Sequence, residues 1–367
     1  MTITLRAWRS GWLQAAVLSL ALVLAFVLLW WRGPDWSDVW GAFRFVIWSW
    51  IVLAFVLNVT STMFRALSWS LTISQALPPQ HQPRLIHVYS SFGVGLLANA
   101  VVPGRLGELA RVATLRRHLP DAPSGTTATL VGTVVAHRLF DLVPATLLVV
   151  WVLLTAEVPH WAVTALLIVV AVGFTLFTVA WMSARRQQRS MAHDLQAVGT
   201  IRHLLGMARQ GLSVLKSPAP LAGAVLLQCL GWVLQLMAVW VTMQAFGIDA
   251  PLPAAGLVLV LMNVATIIPL WPGNFGLVQA AVALPLRNYG VAYATGFAFG
   301  LALQAIEIAC GIALGLLALA REGISVAMLR RMRDEEGESS ENAVEQVGEL
   351  VDDLEAEATR EGAPLSR

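Results

Sequence analysis

The stretches Asn99-Ala-Val-Val-Pro103-Gly104-Arg105-Leu106-Gly107-Glu108 and Ile268-Pro269-Leu-Trp271-Pro272-Gly273-Asn274-Phe275-Gly276 decide how this chain folds. Each contains P-G-x-[Leu/Phe]-G, and each follows a long run with almost no charge. Proline removes a backbone donor and glycine loosens a helix, so each motif is expected to interrupt a segment that would otherwise cross a bilayer. Interruptions paired in two halves of a membrane protein point to a binding site near the bilayer midplane. The pattern is that of a membrane translocator.

Composition agrees with that reading. The chain is 57% hydrophobic and 13% charged, with a mean hydropathy of +0.70. No soluble globule hides that much apolar surface, so the expected class is an all-α polytopic membrane protein. The formal net charge of +2 conceals a division, because residues 334–367 hold 12 of the 22 acids and only Arg360 and Arg367 as bases. Residues 1–333 are therefore expected to form one basic transmembrane domain. Residues 334–367 read as an acidic, disordered cytoplasmic tail, a candidate docking site for a cytoplasmic partner. Cys229 and Cys310 fall in expected spans and suggest neither a disulfide framework nor a metal site.

Six stretches are long enough to cross: about 12–31, 45–63, 127–156, 161–182, 219–246 and 291–320. The first follows Arg6 and Arg9 but lacks a small-residue cleavage site and reads as a retained span. Two more stretches, about 85–118 and 254–286, carry the breaks and read as re-entrant hairpins. With the N-terminus cytoplasmic, 18 bases fall on the cytoplasmic side, Arg65 and Arg111 among them, and Arg32, Arg44 and Arg287 fall outside. Both termini are then cytoplasmic in a multi-pass plasma-membrane protein. The same assignment makes the two halves, about 10–157 and 161–325, the same elements upside down, an inverted-topology repeat. Between the halves little sequence is shared beyond the break motif. Residues 185–216 have helical apolar spacing and read either as a surface helix on anionic lipid or as a linker helix. Trp30, Trp31, Trp36 and Trp40 sit where an interfacial aromatic belt belongs.

The run Leu97-Ala-Asn99, Pro103-Gly104-Arg105-Leu106-Gly107-Glu108 and Arg111 resembles the lysylphosphatidylglycerol synthase transmembrane family, also called flippase-like or YbhN-like proteins. Pro269-Leu-Trp-Pro272-Gly273-Asn274-Phe275-Gly276, followed by Gly290, is similar to the family's second signature. The resemblance covers about residues 10–325 and implies movement of lipids or lipid-linked molecules between leaflets. In the best-known members the module is fused to a soluble aminoacyltransferase. No such domain is visible in this sequence, so lysyl-lipid synthesis is not expected of it. Where the family often has a glutamate three residues after the last motif glycine, this chain has Gln279, which keeps hydrogen bonding and loses charge.

The residues that could carry chemistry gather around the breaks and inside the spans. Arg105, Glu108 and Arg111 recur every three residues, so neighbours can touch on a helix that starts near Pro103. The arginines could hold a lipid phosphate while Glu108 orients them, or the three could be an ion-pair ladder locking the hairpin. Arg138 and Asp141, beside His137 in the third span, read either as a self-neutralised pair or as cavity residues. Glu307, near the centre of the last span, has no local base; it is protonated and hydrogen-bonded, with a role in proton coupling to consider, or it pairs across the bundle with Arg138 or Arg105. Asn99 and His87 read first as packing residues. Asn263, Asn274 and Gln279 would line the second hairpin, where backbone amides freed by Pro272, Gly273 and Gly276 could meet phosphate oxygens.

No nucleotide-binding or metalloprotease motif is present. No cofactor or metal is expected, nor any nucleic-acid partner. The expected partner is a membrane lipid with a phosphate headgroup, and apolar helix faces leave a homo-oligomer open. The leading functional reading is a translocase for a phospholipid or polyprenyl-phosphate-linked lipid. The competing readings are a membrane glycosyltransferase or other lipid-modifying enzyme, using Asp35 and Asp38, and a non-transporting accessory subunit. Capping or turn roles suit the two aspartates better.

Overall fold

The Pro-Gly motifs leave helices on both sides of them that are too short to cross alone. A computed structural model describes residues 34–101, 106–123, 125–159, 217–266 and 274–322, with Val214 and scattered residues between 162 and 178. The chain divides into one unit of Met1–Ala318 and another of Leu319–Arg367, the second beginning in the last turn of the final helix. Among the described residues the secondary structure is helical, with no strand. The helices are α1 (Trp36–Phe43), α2 (Trp48–Ala76), α3 (Leu85–Val101), α4 (Gly107–Arg117), α5 (Thr126–Thr155), α6 (Pro218–Ala245), α7 (Leu252–Ala265), α8 (Leu277–Leu286) and α9 (Tyr293–Glu322).

Four of these, α2, α5, α6 and α9, are long and apolar enough to cross a membrane. At a rise of about 1.5 Å per residue each is roughly 42–45 Å long, more than the hydrocarbon core of about 30 Å. The broken pieces α3 and α7, with 17 and 14 residues, reach only roughly 26 and 21 Å. Lengths recur in order: 29, 17, 11 and 30 residues in α2 to α5, and 28, 14, 10 and 30 in α6 to α9. The outer faces stay apolar, with Leu53, Val56, Leu147, Leu154, Leu226 and Val233 exposed. That is the surface a multi-pass membrane protein presents to lipid.

The helices flanking each break pair as a hairpin, stapled by an asparagine. Across the first, the backbone amide of Gly107 donates to Asn99 Oδ1 at 2.9 Å. Across the second, Asn274 Nδ2 donates to the carbonyl of Ala265 at 2.9 Å, with Asn274 itself at a positive φ of 46°. Chain ends freed by a break need such partners wherever water is scarce. α3 and α4 approach so closely that a Cβ on Gly107 would strike the Gly95 carbonyl, and would lie 2.5 Å from the Asn99 side chain. The same device joins distant elements: α3 lies on α9 through Gly93, Gly311 and Gly315, and α7 meets Trp151 and Val152 of α5 at Gly256. α2 crosses α6 antiparallel, with Ser61 Oγ donating to the Gly231 carbonyl (2.7 Å) and Ser68 Oγ to that of Ala224 (2.8 Å). Small residues and interhelical hydrogen bonds are what hold helices together where lipid removes the hydrophobic drive.

The helix expected to end near residue 63 runs instead to Ala76, stopped by Pro78 and Pro79. Its polar second half is accommodated because its side chains have partners. Trp69 Nε1 donates to Thr133 Oγ1 at 3.1 Å, Thr72 Oγ1 bonds the Ser68 carbonyl, and Arg65 pairs with Asp141 at 2.8 Å. Arg65 and the 3%-exposed Arg111, assigned to the cytoplasmic side by the charge count, therefore lie inside the bundle. Of the expected aromatic belt, Trp36 packs edge-on to Phe297 and Trp40 is exposed. The span at 12–31, Trp30, Trp31, residues 185–213 and the tail from 334 lie outside the described residues, and the span at 161–182 is described only in part. In that part Ala162 and Leu166 pack against Val149 and Leu257.

Gly107→Ala should lower thermal stability in detergent by about 1–3 kcal/mol through overpacking, whereas Gly41→Ala in α1, with nothing within 4 Å of its Cβ position, should not. Melting curves of the two purified variants check the contrast.

Candidate functional site

Charged residues inside an apolar bundle need partners, and here one carboxylate collects most of them. Asp141 sits mid-way along α5, three residues before Pro144. That proline has no amide hydrogen for the Phe140 carbonyl, so the continuous helix lacks one backbone hydrogen bond beside the carboxylate. Asp141 Oδ1 accepts from Arg65 Nη2 of α2 at 2.8 Å, from Trp232 Nε1 of α6 at 2.8 Å, and from Gln228 Nε2 of α6. Its Oδ2 accepts from Arg138 Nη1 at 3.3 Å. The Arg65 guanidinium also lies 5.9 Å from the Trp232 ring. One side chain thus ties three long helices together.

Arg138 carries the network onward. Its second amino group is paired with Glu108 at the start of α4, and Glu108 is paired in turn with Arg111. Arg111 is buried, its guanidinium 4.7 Å from the Trp69 ring and 5.3 Å from that of Phe92. Two adjoining aromatic rings of that kind suit the planar, weakly hydrated guanidinium rather than an ammonium group. Arg111 Nε has no hydrogen-bond partner among the described residues. His137 is buried edge-on to Phe92, at 6.1 Å. The group comprises three guanidinium groups and two carboxylates, which leaves one positive charge in excess. Arg138 is its accessible member, with 52% of the side chain exposed against 14% for Asp141. The geometry therefore offers a donor-rich, positively charged patch within the apolar body, suited to an oxyanion.

The second hairpin and last helix hold a counterpart built mostly of amides, with one carboxylate. Gly276, at φ 88°, turns the chain into α8, and its amide donates to Gln279 Oε1 at 2.6 Å. Gln279 Nε2 donates to Gln304 Oε1 of α9 at 2.5 Å. Glu307, one turn further along α9, accepts from Gln235 Nε2 of α6 at 3.4 Å.

Of the expected site residues, Glu108, Arg111, Arg138 and Asp141 come together in the ionic network. Asn99 and Gly107 brace it, and Asn274, Gly276, Gln279 and Glu307 belong to the second hairpin and its surroundings. Pro103, Gly104, Arg105, Pro272 and Gly273 lie outside the described residues. Arg138 and Asp141 do pair, at 3.3 Å, but the pair is not isolated, since each has a closer partner elsewhere. His87 stacks on His118 at 3.9 Å, near the polar end of the first hairpin. Asp35 caps α1, its Oδ1 accepting from the hydroxyl and amide of Ser37, and these bonds hold its carboxyl below the usual carboxylate range. No group of three metal-ligating side chains occurs among the described residues. Sequence reading missed Arg65, Gln228, Trp232, Gln235 and Gln304. The available signal was the glutamines themselves, polar side chains at helical spacing in otherwise apolar spans.

A family model described as the lysylphosphatidylglycerol synthase TM region matches residues 16–315. The chain belongs to that family. The match takes in both hairpins and every residue of the ionic network, and it is to the TM region alone, with no family of catalytic domains found. No curated protein and no solved structure matches the chain.

Removing the hub should be costly. Asp141→Ala leaves Arg65 and two α6 donors without their acceptor, and should destabilise the bundle by about 3–5 kcal/mol. Glu108→Gln keeps a hydrogen-bonding group and should cost distinctly less, as thermal unfolding of both variants in one detergent would show.

Proposed function

We propose that this protein moves a lipid with a phosphate headgroup, a phospholipid or a polyprenyl-phosphate-linked lipid, between the leaflets of the cell membrane. The observation that carries the reading is the positively charged network with exposed Arg138 at its edge, set among helices whose outer faces are apolar. A phosphate arriving from the bilayer finds the Arg138 guanidinium able to bind two of its oxygens. Its acyl or prenyl chains stay in lipid. Glu108 bridges Arg138 and Arg111, so a phosphate that takes Arg138 leaves Glu108 to Arg111. That exchange cuts the ionic link between α4 and α5 and frees the first hairpin to shift. Headgroup binding and movement of the broken segment are thereby coupled.

The arrangement of the helices supports the same reading. Two sets of elements recur with matching lengths, and α2 crosses α6 antiparallel through Ser61–Gly231 and Ser68–Ala224. The long arm of each hairpin packs on the last helix of the other half, α3 on α9 and α7 on α5. They support an inverted-topology repeat; in our proposal its hairpins are re-entrant, both termini are cytoplasmic, and the two halves rock about a midplane site.

The test is lipid movement in proteoliposomes containing the full chain and headgroup-labelled phospholipids or a polyprenyl phosphate. Protein-dependent movement of at least one phosphate-bearing lipid is expected. Arg138→Gln and Glu108→Gln should each slow it about tenfold or more, the effect of losing one charge-assisted bond. Folded protein that moves none of these lipids would overturn the proposal.

A further inference from the structure

The first network forms a path from Glu108 on α4 to Arg138 on α5, then three residues along α5 to Asp141, and across to Arg65 on α2. In the second half the path runs from Gln279 on α8 to Gln304 on α9, three residues along α9 to Glu307, and across to Gln235 on α6. α8 holds the place of α4, α9 that of α5 and α6 that of α2 in the order and lengths of the elements. Each position has its counterpart, and so do the two links between helices, but Glu, Arg and Arg have become Gln, Gln and Gln, and only the inner carboxylate remains.

We propose that this amide-built copy is a second headgroup subsite, which takes an uncharged, hydroxyl-bearing group attached to the phosphate; the assignment rests on the lipid-translocase reading. Polar side chains inside a membrane bundle are costly and tend to be kept for function. None of the four is basic, and Glu307 repels an anion, so the copy is unsuited to the phosphate itself. It is rich in acceptors: the Glu307 carboxylate, and Gln235 Oε1, which is buried without a hydrogen-bond partner among the described residues. Hydroxyl groups donate to such acceptors, and accept from amide N–H groups, without bringing a charge into the bundle. The two clusters are neighbours. Thr62, three residues before Arg65, lies 3.9 Å from the sulfur of Cys310, three residues after Glu307. A glycerol- or sugar-like group beyond a phosphate at Arg138 thus has a built receptor close by.

The experiment compares binding of phosphatidic acid, phosphatidylglycerol and phosphatidylethanolamine to the full-length protein by native mass spectrometry, with diacylglycerol as the phosphate-free control. Phosphatidylglycerol is expected to bind about tenfold more tightly than the other two phospholipids, the worth of one or two well-made hydrogen bonds. Gln304→Leu should bring it down to the level of phosphatidic acid. Gln279→Glu, which can still accept from the Gly276 amide, should shift preference toward the ammonium headgroup even if Gln304→Leu fails to fold. Equal binding of the three phospholipids, or selectivity unchanged in Gln279→Glu, would overturn the subsite while leaving phosphate recognition standing. Binding no better than that of diacylglycerol would remove phosphate recognition and the subsite with it.

Discussion

The Asp141 carboxylate is the constraint on which the bundle depends. An ionised carboxylate in an apolar interior is tolerable only when its lone pairs are filled by donors, preferably charged ones. Asp141 meets that demand from α2, α5 and α6 at once, which fixes how those helices cross. The polar serines that let α2 and α6 approach, Ser61 and Ser68, lie one turn to either side of Arg65 on the same contact. Arginine fits this position better than lysine, because a planar fork can face a carboxylate and an indole ring together. Once α5 is fixed, Arg138 is placed to receive Glu108, and with it the first hairpin.

The hairpins solve a related problem in backbone form. Interrupting a helix at membrane depth exposes amides and carbonyls that neither lipid nor neighbouring turns can satisfy. An asparagine answers at each break, accepting from Gly107 in one and donating to Ala265 in the other. One amide side chain can take either role, which is why the same residue type serves both. Close glycine contacts then seat each hairpin against the far half of the molecule, so a shift of one half is felt by the other.

Much of this was legible in the sequence, and the parts that were not share a cause. The breaks, the helices at 126–155, 218–245 and 293–322, and the hairpins at 85–117 and 252–286 follow from hydropathy and Pro-Gly chemistry, which are local. Family membership was legible in the same motifs. The length of α2 was not, because Arg65 and Ser68 look like the end of an apolar run until their partners on α5 and α6 are known. Glu108, Arg111, Arg138 and Asp141 could each be named as costly charges. That Glu108 reaches Arg138 from 30 positions earlier in the chain is a tertiary fact that no spacing reveals. Glu307 was legible as a costly acid in a span, whereas its partner Gln235 shows only through its spacing from Gln228 on the same helix, a weaker signal than a charge.

The two halves differ where a symmetric machine would have them alike, and the difference is electrostatic. Two copies of a charged network side by side would double the desolvation cost and give an anionic headgroup two equivalent places to stop. Among the described residues one cluster holds an excess of one positive charge, and its neighbour holds a carboxylate among amides. With Glu307 ionised, the charges of the two described clusters balance. The charge separation within the pair still gives an oxyanion one preferred end. On the proposed reading, a headgroup entering this field is oriented before it makes its last hydrogen bonds, with its phosphate toward the first half and its neutral substituent toward the second. Glu108 competes for the same guanidinium and can reclaim it, so the proposed cargo has both a defined way in and a ready way out.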